Sequence, residues 1–204
     1  MIIEGLLTTE NEDGTLHIAP IGPHVDEELN QWMLKPFQTS TSFTNLFREG
    51  RGIFHVVDDA LLLAVSVVGY ATASFPRVSE QWMDSWINEI DRSRQSEYRK
   101  DLGWVLLQAC QYYALQMEQW NTDEPRASVT CRVVVRQEQR PFWGWNRAKH
   151  SIVELAVMAS RRHLLTHEKM LEELKYHRLI IEKTGGQKEL AALEFLDEVI
   201  LGTK

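Results

Sequence analysis

The sequence predicts an α+β protein, with a strand-rich region of about 140 residues followed by a helical tail. Three observations carry this reading. Short runs rich in β-branched and aromatic residues recur at residues 2–9, 16–19, 31–37 and 52–57, bounded by Gly, Pro or Asp-Gly. A turn at 121–125 is followed by a clear strand run at 128–136. From Asn146 onward, apolar residues fall at helical spacing behind capping residues.

The first run is followed by Asp13-Gly14, the pair that supplies positive φ to a hairpin turn, and by a return strand at 16–19. Pro20-Ile21-Gly22-Pro23 is expected to stop that strand, leaving extended backbone that cannot complete a ladder. Its unpaired groups suit either water or a flat heteroaromatic ligand. A third strand at 31–37 passes through Thr39-Ser40-Thr41-Ser42 into a helix at 42–48, which Gly50 and Gly52 terminate. Residues 52–57 read as a buried strand, after which Asp58-Asp59 cap an apolar helix at 60–68. Ser79 as a cap, with Trp82, Met83, Trp86, Ile87 and Ile90 on one face, predicts an inserted helical excursion at about 76–101.

Residues 102–120 fit two templates, because Leu102, Val105, Leu106 and Ala109 suit a helix while Tyr113, Leu115 and Met117 alternate. The Asn121-to-Pro125 turn and the strand beyond it favour a hairpin of 111–120 with 126–138, with Trp120 opposite Ala127. That pairing separates Cys110 from Cys131 and leaves both as free thiols. The tail reads as three helices, at 146–165, from the Thr166 cap to 183, and at 187–201. Val153, Val157, Leu164, Met170, Leu174, Leu190, Leu193, Leu196 and Val199 are the expected packing positions.

Of the 204 residues, 44% are hydrophobic and 25% charged, which is ordinary globular composition. A net charge of -7 argues against nucleic-acid or anionic-membrane surfaces, both of which need a basic footprint. No apolar run is long enough to span a bilayer, no signal-peptide pattern opens the chain, and a cytoplasmic protein is the expectation. The histidines are scattered without a completing carboxylate or cysteine, so no metal site is expected.

Chemistry concentrates at two places. A helix N-terminus carries free N–H groups and the positive end of the dipole, and beside Thr39, Ser40, Thr41 and Ser42 it forms a seat for phosphate. One hydroxyl suffices for a cap, and the run supplies four, with Thr44 just beyond it. The second place is Asn146-Arg147-Ala148-Lys149, where two cations occupy a helix's first turn against the dipole, which suits either a nearby anion or side chains that reach out into water. Trp143 and Trp145 beside them suit either a flat ring or the core.

The stretches 3–9, 18–25, 35–46, 54–59 and 140–150 together resemble one uncharacterised family, domain of unknown function 447, similar to the flavin mononucleotide (FMN)-binding split-barrel proteins. The Asn146-Arg147-Ala148-Lys149-His150 stretch is the most specific part of the resemblance. It implies an antiparallel Greek-key split β-barrel over residues 1–140, a helical appendage at 141–204, FMN as cofactor and a homodimer. By that resemblance Thr39, Ser40, Thr41 and Asn45 grip the phosphate, and Pro20, Ile21, Gly22 and His24 border the ring. Asn146, Arg147 and Lys149 lie in the motif as further cofactor candidates. Three functions follow: a flavin-dependent oxidoreductase of unknown substrate, a flavin carrier or sensor without turnover, and an interaction protein built on the helices. No catalytic side-chain constellation stands out, and a flavin enzyme needs none to be obvious.

Overall fold

The computed structural model describes residues 1–68 and 95–202. The part of the expected helical excursion at 76–94 lies outside them. The chain divides into two compact units, one of Met1–Val57 with Gln95–Phe142, the other of Asp58–Arg94 with Trp143–Lys204.

The first unit holds β1 (Gly5–Glu10), β2 (Leu16–Ile21), β3 (His24–Val25), β4 (Gln31–Leu34), α1 (Thr41–Glu49), β5 (Arg51–Val56), β6 (Ser96–Arg99), β7 (Gly103–Leu106), β8 (Gln111–Asn121) and β9 (Ser128–Glu138). Seven strands form one antiparallel sheet in the order β2-β1-β5-β8-β9-β4-β3. The sheet curls until its β3 edge meets the start of the chain: Ile2 bridges His24, and Val25 N–H donates to Met1 O at 2.8 Å. The result is a split β-barrel with Greek-key connections, as expected. Its interior is aromatic, with Trp32 5.3 Å from Phe54 and 4.8 Å from Tyr113 between ring centroids. Leu7, Leu34, Leu46, Leu115 and Val129 pack around them, each at 0% or 1% exposure.

Three details correct the sequence reading. Strand β2 runs on through Pro20 and Ile21, which pair with Leu6 and Gly5, rather than stopping before them. An edge strand tolerates proline because no neighbour needs its missing N–H. In the β8–β9 hairpin Trp120 faces Val129, not Ala127, since the ladder closes earlier at Asn121 with Ser128 and shifts register between Met117 and Gln119. The end of the expected helical excursion is strand: β6 pairs with β7 as a separate ribbon. Its Val105 packs with Ile53, Tyr112 and Ala114 of the sheet.

The second unit contains α2 (Ala60–Val68), α3 (Arg147–Ser160), a short 3-10 turn at Arg162–Leu164, α4 (His167–Thr184) and α5 (Gln187–Leu201). Helix α2 belongs here, its Leu61, Ala64, Val65 and Val68 packing with the tail helices. Asn146 and Thr166 cap α3 and α4 through Lys149 N and Lys169 N, at 3.0 Å and 3.3 Å. The buried stripe of α3 is Ile152, Leu155, Ala156 and Ala159, one position round from the expected Val153 and Val157. Leu164 and Leu190, expected in the core, are exposed at 71% and 40%. The break at Arg161 ends α3 before Leu164 can lie on its stripe.

Candidate functional site

The hydroxyl run enters α1 held by contacts on both sides. Before it, Phe37 bridges Arg126, whose guanidinium lies 3.8 Å from the Phe37 ring centroid. Gln38 Nε2 then donates to the carbonyls of Thr122 and Glu124 at 2.9 and 2.6 Å. Ser40 is the N-cap: its Oγ accepts from Phe43 N–H at 3.2 Å and donates to Phe37 O at 2.7 Å. Thr44 turns back to Ser40 O at 3.4 Å. Thr39 and Thr41 are exposed on either side of the cap, and the first turn of α1 contains no acidic residue. The opening N–H groups of a helix have no intrahelical acceptor, so this end is electropositive and flanked by hydroxyls.

Two members of the expected site serve the framework. Asn45 is buried, and its Nδ2 donates to Thr9 Oγ1 at 3.1 Å and Asn11 Oδ1 at 2.9 Å. Those two bonds fasten α1 to the end of β1, while its Oδ1 accepts from Arg48 of the same helix at 3.2 Å. Ser42 is also buried, with its Oγ 3.1 Å from His17 Nε2 on β2. Burial lowers the His17 pKa from its ordinary value, and a neutral ring suits a helix start where a cation is disfavoured. Sequence reading passed over His17, which faces Thr9 on an edge strand and carries no local signal.

The His17–Ser42 contact places the hydroxyl-flanked helix start beside β2. That strand is half-buried along its whole length and lies at the sheet edge, with Pro20 and Ile21 at its end. Gly22 follows, packed so closely that a Cβ there would lie 2.8 Å from Ile2 Cγ2. His24 pairs with Met33 and bridges Ile2. The barrel unit therefore joins Ser42, in the first turn of α1, to His17 near the start of β2, the strand that ends in Pro20 and Ile21.

Asn146, Arg147 and Lys149 belong to the helical unit. Asn146 caps α3 and donates through Nδ2 to Thr184 O at 3.2 Å. Lys149 Nζ donates to the carbonyl of Asp58 and lies 4.0 Å from Glu189 Oε1. Glu189 in turn accepts from Gly186 N–H at 2.9 Å. The anion implied by a lysine at a helix start is thus a carboxylate of the same unit. Arg147 is exposed. Trp143 and Trp145 are exposed at 84% and 90%, with Trp145 stacked on His150 at 5.3 Å between centroids, so neither closes the core.

Both cysteines are buried, and burial pushes the Cys131 thiol up to about 12, far from a reactive thiolate. Among the described residues no group of His, Cys, Asp or Glu is arranged to hold a metal ion. Among them, too, no helix is long and apolar enough to cross a membrane.

The chain belongs to the family described as protein of unknown function DUF447. Its N-terminal domain matches residues 3–140, and its C-terminal domain matches residues 146–198. No curated protein matches the chain. Among solved structures, it is similar to an FMN-bound DUF447 protein from Methanosarcina mazei, at 19% identity and a TM-score of 0.74, covering 97% of this chain and 94% of that one. It also aligns with an FMN-binding protein from Thermus thermophilus, at 12% identity, 67% and 70% coverage and a TM-score of 0.49. A styrene monooxygenase flavin reductase from Pseudomonas putida S12 aligns at 12% identity, 68% and 80% coverage and a TM-score of 0.45.

Proposed function

We propose that this protein binds FMN in its barrel unit and acts as a flavin-dependent oxidoreductase. The observation that carries the proposal is the start of α1. It is a helix N-terminus without carboxylates, flanked by the exposed hydroxyls of Thr39 and Thr41, and tied through Ser42 and His17 to an edge strand. Full-length likeness to a family member described as FMN-bound supports the same reading.

In this reading the α1 N–H groups, Thr39, Ser40 and Thr41 hold the phosphate, and Pro20, Ile21, Gly22 and His24 border the ring system. Bound FMN supplies hydride or electron transfer through its ring. The chain's own part is to neutralise the phosphate with backbone dipoles and to offer edge backbone groups to polar atoms of the ring. Ser42 and Asn45 act indirectly, by fixing the direction of α1. Asn146 and Lys149 serve the helical unit's framework.

Thr41→Ala and Thr39→Val test the assignment, because both positions are exposed and neither side chain is part of the core. Loss of a hydrogen bond to a charged oxygen costs about 1.5–3 kcal/mol, or about ten- to a hundredfold in FMN affinity. Binding equal to wild type in both variants would remove the phosphate from this helix end. We also read the protein as a homodimer. An aromatic patch on the barrel unit supports this: Phe47 is 64% exposed and lies 5.9 Å from Phe43 and 5.3 Å from Trp120. Sedimentation at micromolar concentration is expected to give twice the chain mass, and a single-chain mass would refute it.

A further inference from the structure

A polar buckle holds the β6–β7 ribbon on the barrel unit, and its buried member is an imidazole. His55 of β5 is fully buried, and its Nε2 accepts a hydrogen bond from Leu106 N–H at 3.0 Å. An accepting Nε2 carries a lone pair, so the proton of the neutral ring sits on Nδ1. That nitrogen makes no hydrogen bond of normal geometry and faces the backbone around Leu6 and Ile53. Other fastenings of the ribbon among the described residues end on carbonyl or phenol oxygens. Thr8 Oγ1 donates to Trp104 O, Trp104 Nε1 to Gly14 O at 3.3 Å, Arg99 to Tyr112 Oη at 2.9 Å, and Gln139 Nε2 to Leu106 O at 2.9 Å.

We propose that His55 is an acid-sensitive latch for this ribbon, in which protonation of Nε2 and departure of the Leu106 N–H are one event. A proton on Nε2 would face the Leu106 N–H, donor against donor, in a site that water does not reach. The charged ring therefore requires the ribbon to lift. Among the described residues no counter-charge acts on the ring. Leu6 faces the ring from β1, and Tyr112 faces it from β8 at 6.1 Å between centroids. Arg99 of β6 sits over the Tyr112 ring at 5.6 Å, a cation that opposes a second one. Glu97, 3.6 Å from Arg99, is the carboxylate recorded on β6. Phenols and guanidinium groups do not change charge between pH 5 and 7.

The direction follows from linkage. Burial lowers the His55 pKa to about 3 in the closed state, against 6.5 for a free ring. The latch is therefore fully effective above about pH 6.5 and weakens as pH falls below it, because the lifted state binds the additional proton. From pH 7 to pH 5 the lifted population is expected to rise about 25-fold.

Amide hydrogen exchange on the full chain tests this, with rates at pH 7 and pH 5 divided by their intrinsic values. Protection at residues 103–106 is expected to fall about 25-fold in wild type and to stay constant in His55→Gln, whose carboxamide accepts without titrating. Equal wild-type protection at both pH values, or an equal fall in the variant, would overturn the proposal. If His55→Gln does not fold, long-range imidazole proton–nitrogen spectra of wild type decide: an Nδ1–H tautomer supports the latch, and an Nε2–H or charged ring at pH 7 refutes it.

Discussion

Asn45 shows how a residue can sit within a ligand-like motif and yet serve the fold. Both ends of its carboxamide are engaged, toward Thr9, Asn11 and Arg48. From sequence it was one polar residue in a run of hydroxyls, because Thr9 and Asn11 lie on β1 and the turn after it, more than thirty positions away. Lys149 teaches the same point. Its unfavourable place at a helix start is offset by its contacts with Asp58 O and Glu189, and those contacts are what its removal loses. Lys149→Met is expected to destabilise the protein by about 1 kcal/mol, a figure reduced for its partial exposure. Arg147→Gln, at an exposed position on the same turn, is expected to leave stability unchanged. Paired thermal melts check both, and equal melting temperatures in all three proteins would contradict the Lys149 contact. Arg147 and Lys149 are adjacent in motif and alike in charge, and only the fold separates their roles.

At the scale of elements, what was legible is what local chemistry determines. Ser40, Asn146 and Thr166 cap the helices they precede, and Gly50 closes α1 with φ of 65°. Asp59 accepts from Leu62 N–H at 3.0 Å at the start of α2, as a capping carboxylate should. The β8–β9 hairpin was legible from its alternation, but not its register, because a bulge between Met117 and Gln119 leaves no trace in composition. The β6–β7 ribbon was invisible: Ser96-Glu97-Tyr98-Arg99 has no apolar alternation, and Ile53 and Tyr112, which Val105 meets, are remote in sequence or on another strand. Pro20 was read as a stop, since edge position is a property of the whole sheet. The hydroxyl-flanked start of α1 was legible because one short stretch builds it, whereas His17 reaches Ser42 from 25 positions away.

At the scale of the molecule, the chain passes between its two units three times, and α2 is the element this affects most. Its Leu61, Ala64, Val65 and Val68 are buried with residues of α3, α4 and α5. A fragment ending at residue 142 keeps every described strand but leaves that apolar helix without its partners. Such a fragment is expected to aggregate or bind a hydrophobic dye, whereas the full chain does not; a soluble, dye-silent fragment would show that α2 does not depend on the tail. The central claim is that the barrel unit seats FMN by its phosphate at the start of α1. The most direct test is parallel fluorescence titration of the full chain with FMN and with riboflavin, which differ only by that phosphate. The account predicts a yellow FMN complex and at least about tenfold weaker binding of riboflavin; equal affinities, or no binding of either, would contradict it.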